Sequence, residues 1–160
     1  GGNICVYGDS YNLVIDNVTS YGCHFSGIGV GGNISNVTIS DVLVYDTLGT
    51  GIRFASGVTD SALYDFTVHD CAMLPSDDNA GGDGGGVEVT IDCDNISISS
   101  GEVYNTGAGC TSSQRPDPGV AIYESTNIDV TKVKIHDCYG GGAYYLSLIH
   151  ISEPTRLGMI

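Results

Sequence analysis

The chain has 160 residues, enough for one domain with its own core, and sets 19 Asp and Glu against 5 Lys and Arg for a formal charge of −14. Such a surface repels phosphate backbones and anionic lipid, which argues against nucleic acid and membrane as partners. No apolar run reaches the ~18 residues a membrane span needs. The balance suits a soluble, secreted or cell-surface protein that can attract Ca²⁺.

Taken in order, the chain repeats itself. The first coil reads ICVYGDSY from Ile4 and NLVIDNVTSYGC from Asn12, and the second IGVGGNIS from Ile28 and NVTISDVLVYDT from Asn36. The third reads IRFASGVT from Ile52 and DSALYDFTVHDC from Asp60, and the fourth VEVTIDCD from Val87 and NISISSGEVYNT from Asn95. The fifth reads VAIYEST from Val120, one residue short, and NIDVTKVKIHDC from Asn127; a sixth begins at Ala143. The Asn or Asp that opens each second block recurs at spacings of 24, 24, 35 and 32 residues. That is a period of 24 residues with two insertions, roughly residues 73–85 and 108–118, at the same corner of successive coils.

Within each coil three short segments alternate, so every second side chain shares a face. Stacking like on like gives inward columns: Ile4, Ile28, Ile52, Val87 and Val120; Val6, Val30, Phe54, Val89 and Ile122; Ile15, Ile39, Leu63, Ile98 and Val130; Ser20, Val44, Val68, Val103 and Ile135. A single coil cannot bury its apolar face, but neighbours at about 4.8 Å can. The recurrent Asn12, Asn36, Asp60, Asn95 and Asn127 mark a corner where stacked amides hydrogen-bond along the axis. Leucine-rich repeats would need many Leu and a helical period, and neither is present. The reading is an all-β, right-handed parallel β-helix of about five coils with three short strands each.

This pattern resembles the pectin-lyase-like β-helix superfamily from Ile4 to Tyr145. The resemblance implies a carbohydrate-active protein, a polysaccharide lyase or glycoside hydrolase; the alternative is a non-catalytic, adhesin-like or tailspike-type shaft. Residues 1–145 read as a β-helix truncated at both ends. Residues 146–156, LSLIHISEPTR, resemble a sequencing adapter translated in frame, so residues 146–160 are read as foreign to the natural protein.

The insertions make a wall beside the first-segment sheet, and hence a groove for an extended polysaccharide. The outward residues on that face include Arg53 and Glu88, stacked neighbours. Arg53 suits a uronate carboxylate or a lyase base, and Glu88 an acid, base or metal ligand; a plain surface ion pair is the alternative. Asp77, Asp78 and Asp83 cluster in the first insertion and offer carboxylates to Ca²⁺ or to paired acid–base work. Asp83 is a catalytic and metal candidate, and Asp77 and Asp78 are metal candidates. Tyr21, Tyr45, His69, Tyr104 and His136 form one outward column, which reads first as an aromatic ladder; His69 is kept as catalytic because it precedes the acidic insertion. Tyr123 and Arg115 are substrate-contact candidates. The Gly-His-Gly and Arg-x-Lys of polygalacturonases and the Asp-Pro-His-Asp of mannuronan epimerases do not occur; Asp117-Pro118 continues with Gly119. Cys23, Cys71 and Cys138 share a column two coils apart, too far for disulfides.

Overall fold

The computed structural model describes residues 4–72, 84–107 and 118–145. Eleven strands are present among them, with turns and no helix. The short strands are β1 (Ile4–Tyr7), β3 (Ile28–Gly31), β5 (Ile52–Ala55), β7 (Val87–Thr90), β9 (Val120–Tyr123) and β11 (Ala143–Tyr145). The long ones are β2 (Ser10–Tyr21), β4 (Ile34–Tyr45), β6 (Thr59–His69), β8 (Asp94–Tyr104) and β10 (Thr126–His136). Short strands pair only with short ones in a six-stranded sheet, and long with long in a five-stranded sheet. All pairings are parallel. The register follows the repeat: Ile4 faces Ile28, Ile28 faces Ile52, Ile52 faces Val87 and Val87 faces Val120. Pairing thus resumes in register after each insertion.

The second and third segments of a coil do not form separate strands. They run on as one strand of 11 or 12 residues, bent where the backbone turns left-handed. One bend is the expected Asn column, with φ of 57° at Asn12 and Asn36, 50° at Asp60, 56° at Asn95 and 51° at Asn127. A second is Asn17, Asp41, Asp65, Ser100 and Lys132, and a third, at the strand ends, is Asp46, Asp70, Asn105 and Asp137 with Gly22 in the first coil. Asn and Asp tolerate this conformation because their short polar side chains bond locally. Their amides also tie coils together: Asn36 Nδ2 donates to Asn12 Oδ1 at 2.5 Å and Asn95 Nδ2 to Asp60 Oδ1 at 2.7 Å.

The four inward columns are buried through the middle coils: Ile28, Ile52, Val87, Val30, Phe54, Val89, Ile39, Leu63, Ile98, Val44, Val68 and Val103 are each 0% exposed. Ile4, Val6, Val130 and Ile135 are only partly covered. Further columns join the core, among them Val37, Ser61, Ile96 and Ile128. Ser61 sits where other coils carry an apolar side chain, and it is satisfied: its Oγ donates to Thr59 O at 2.6 Å and accepts from Val37 N at 2.9 Å.

A glycine column, Gly27, Gly51, Gly86 and Gly119, immediately precedes the short strands. A methyl group at Gly86 would lie 2.2 Å from Val103 Cγ1 and 2.6 Å from Gly119 O, and the same conflict recurs at the other three. Here the two sheets approach closely enough that only hydrogen fits. Cys23, Cys71 and Cys93 are buried free thiols. Burial pushes the Cys71 thiol up to about 11, so it stays protonated and is no nucleophile.

Candidate functional site

Alternation along the short strands aims two columns outward. One is Cys5, Gly29, Arg53, Glu88 and Ala121; the other is Tyr7, Gly31, Ala55, Thr90 and Tyr123. Arg53 and Glu88 are register partners on β5 and β7, and Arg53 Nε lies 3.2 Å from Glu88 Oε2. Thr50 Oγ1 donates to the same oxygen at 3.1 Å. Glu88 is buried, with 1% of its surface exposed. The Arg53 side chain is 29% exposed. Its Nε makes an ion-pair contact without an aligned hydrogen bond.

An uncompensated carboxylate at that depth would be costly; the guanidinium and the hydroxyl stabilise it. Glu88 is thus buried against Arg53 and Thr50. It holds the Arg53 Nε, while the Arg53 side chain remains partly accessible. Lys132 and Lys134, the other cations among the described residues, lie on β10 in the other sheet.

Tyr7 adds a feature to this face. Its ring rests against Gly31, where a Cβ would meet Cε1 at 2.6 Å, and its hydroxyl reaches over Gly29, where a Cβ would come within 3.2 Å. Gly29 is the register partner of Arg53. Tyr7 is nevertheless 61% exposed.

His69 lies elsewhere. It ends β6 in the five-stranded sheet, stacked between Tyr45 at 5.2 Å and Tyr104 at 4.8 Å. The ladder is continuous from Tyr21 to His136, with interplanar angles of 9°, 5°, 9° and 9°. Each inner ring has both faces taken by its neighbours, so only edges meet solvent, which makes a poor stacking platform for sugar. His69 Nδ1 is 2.6 Å from Asp70 Oδ2, and no contact among the described residues links it to Arg53 or Glu88.

No family model matches the sequence, and no curated protein matches it. Among solved structures, the chain is similar to the A-module of Azotobacter vinelandii mannuronan C-5 epimerase AlgE4, with a TM-score of 0.68 and 15% identity over 96% of this chain and 44% of that one. It is also similar to the AlgE6 A-module from the same organism, with a TM-score of 0.51 and 13% identity over 91% of this chain and 45% of that one. The fold is a parallel β-helix. The β-helix spans less than half the length of either module.

Of the residues singled out by sequence, the β-helix brings Arg53 and Glu88 together. It places Tyr123 half-buried on the same face, opposite Thr90 in register, and puts His69 on another sheet. Asp77, Asp78, Asp83 and Arg115 lie outside the described residues. Among the described residues no three His, Cys, Asp or Glu are grouped to hold a metal ion. Thr50 and Tyr7 escaped the sequence reading. Alternation alone marks Tyr7 as outward, but nothing in the pattern marks Thr50.

At the end of the ladder, Asp137 and then Glu102 hold the His136 imidazolium, raising its pKa above the ordinary 6.5. Lys134 and then His136 hold Glu102 below 4.5. The His136 contribution is fully present below the unfolded pKa and is lost as pH rises through the folded one. The Glu102 contribution is present above its unfolded pKa and is lost as pH falls through its folded one. Both groups are exposed and contribute little stability. An NMR titration should find His136 titrating above 6.5, and Glu102→Gln should lower that midpoint.

Proposed function

We propose that this chain is the binding and working face of a secreted carbohydrate-active β-helix, with a polysaccharide laid along the outer face of the six-stranded sheet. The observation that carries the reading is Arg53, a partly exposed guanidinium on that face, braced by a buried Glu88 to which Thr50 donates a hydrogen bond. Guanidinium groups bind carboxylates and hydroxyls through paired donors. The structural neighbours are named for action on mannuronan, which supports an acidic polysaccharide. A lyase would use Arg53 beside the uronate carboxylate and a base to take the adjacent proton; a hydrolase would need two carboxylates across the bond. Asp77, Asp78 and Asp83 are the proposed source of those carboxylates and of any Ca²⁺ ligands, with Arg115 and Tyr123 as substrate contacts.

The test is a panel of pectate, alginate and neutral glycans offered to the 160-residue chain, reading binding, new reducing ends and unsaturated uronate. Removing Arg53 alone would strand a buried charge. The informative variant is therefore the double substitution R53M/E88L, because exchanging a buried ion pair for apolar side chains is nearly neutral for stability. It should bind the polysaccharide about 10- to 100-fold more weakly at an unchanged melting temperature. Unchanged binding by the double variant would overturn the assignment. Binding by the wild type without product would leave the non-catalytic glycan-binding reading in place of the enzymatic one.

A further inference from the structure

We infer that the outer face of the five-stranded sheet carries a second glycan site, centred on Tyr64, that takes a neutral pyranose chain. It stands apart from Arg53, which belongs to the other sheet. Between the left-handed bends at Asp60 and Asp65, β6 alternates: Ser61 and Leu63 are buried, while Ala62 and Tyr64 face outward. β6 is the middle strand of the five, flanked by β4 on one side and β8 on the other, yet Tyr64 is 38% exposed. The other two tyrosines of the second to fourth coils, Tyr45 and Tyr104, each have a ring stacked on both faces. Among the described residues the Tyr64 ring has no stacked partner and its hydroxyl no hydrogen bond. Its neighbours leave it room. Its register partners are Ser40 and Ser99, and Ala62, two residues before it, pairs with Thr38 and Ser97. One aromatic ring therefore stands on a flat bed of small side chains, most of them hydroxyl-bearing.

Such a panel suits a sugar ring. The apolar C–H face of a pyranose packs on the tyrosine, and its hydroxyls find donors and acceptors in the surrounding serines and threonine. Charge decides which sugar. Asp41 and Asp65 share the bend beside Ser40 and Tyr64 and are both exposed. Among the described residues neither carboxylate has a hydrogen bond or an ion pair. Free carboxylates accept hydrogen bonds from sugar hydroxyls and repel a uronate. The cations described on this sheet, Lys132 and Lys134, lie on β10, two strand steps from β6 or about 10 Å away. Lys134 is moreover paired with Glu102. The Tyr64 site therefore selects neutral pyranoses, the opposite of the preference proposed at Arg53.

The experiment adds cellohexaose, xylohexaose and hexagalacturonate in turn to the isotope-labelled 160-residue chain and follows its amide resonances by NMR. The two neutral oligomers should shift Tyr64, Asp65, Ser97 and Ser99, and hexagalacturonate should leave them unmoved. Tyr64→Ala should weaken neutral-oligomer binding about 10-fold at unchanged melting temperature, whereas Tyr64→Phe and R53M/E88L should bind these oligomers like wild type. The double variant D41K/D65K should admit hexagalacturonate to the same resonances; Lys132 takes the same bend with φ of 53°, so lysine fits there. If Tyr64→Ala binds the neutral oligomers like wild type, or if they shift nothing on this face, the Tyr64 site is overturned while the Arg53 reading stands. If R53M/E88L abolishes neutral-oligomer binding, there is one glycan site, at Arg53, and the second is overturned.

Discussion

Phe54→Ala, which truncates the largest fully buried side chain among the described residues, is expected to destabilise the fold by about 3–5 kcal/mol. Phe54 is 0% exposed on β5, the third of the six short strands. Its register partners, Val30 on one side and Val89 on the other, are also 0% exposed. Removing the ring leaves a void bounded by coils on both sides. Those coils are pinned by ladder hydrogen bonds and by the Asn column, so the walls cannot collapse into it. Phe25 provides the matched control: it is 68% exposed, and Phe25→Ala should change stability by less than about 0.5 kcal/mol. Urea unfolding followed by circular dichroism measures both. Equal midpoints for the two variants would mean that the core is not organised around Phe54.

Gly86→Ala is expected to cost about 1–3 kcal/mol although it adds a single methyl group. That methyl would stand 2.2 Å from Val103 Cγ1 and 2.6 Å from the carbonyl oxygen of Gly119. A valine rotamer can yield to such a clash, but the carbonyl cannot, because its residue belongs to the next coil and Val87 N donates to that same oxygen at 2.9 Å. The double variant G86A/V103A separates the two causes. It should remain destabilised relative to Val103→Ala alone, since only the side-chain conflict has been relieved. A G86A protein with a wild-type urea midpoint would show that the sheets have room to part at this corner.

Much of the architecture was legible because it follows from local backbone geometry. Alternation sends every second side chain inward in any extended strand, so the inward columns could be written down from Ile28, Ile52, Val87 and their counterparts before any coordinates. Stacking in register turns a recurring residue into a column, which is why the aromatic ladder and the Asn ladder were both expected. The left-handed bends at Asp41 and Asp65 had a sequence signal, a recurring Asn or Asp. That signal fades where Ser100 and Lys132 take the same φ.

The 24-residue period and its alternation by themselves determined a parallel β-helix and the two faces of its short strands. Only the tertiary structure decided which outward residues are reachable. Arg53 and Glu88 occupy equivalent positions in their strands, yet one is partly exposed and the other buried. Glu88 has beside it Thr50, at 38 residues' separation. The same holds for the glycine column and for the path of Tyr7 over Gly29 and Gly31. A side chain's direction is a property of its own strand, whereas its room and its partners belong to neighbouring coils, brought beside it only when the chain closes on itself.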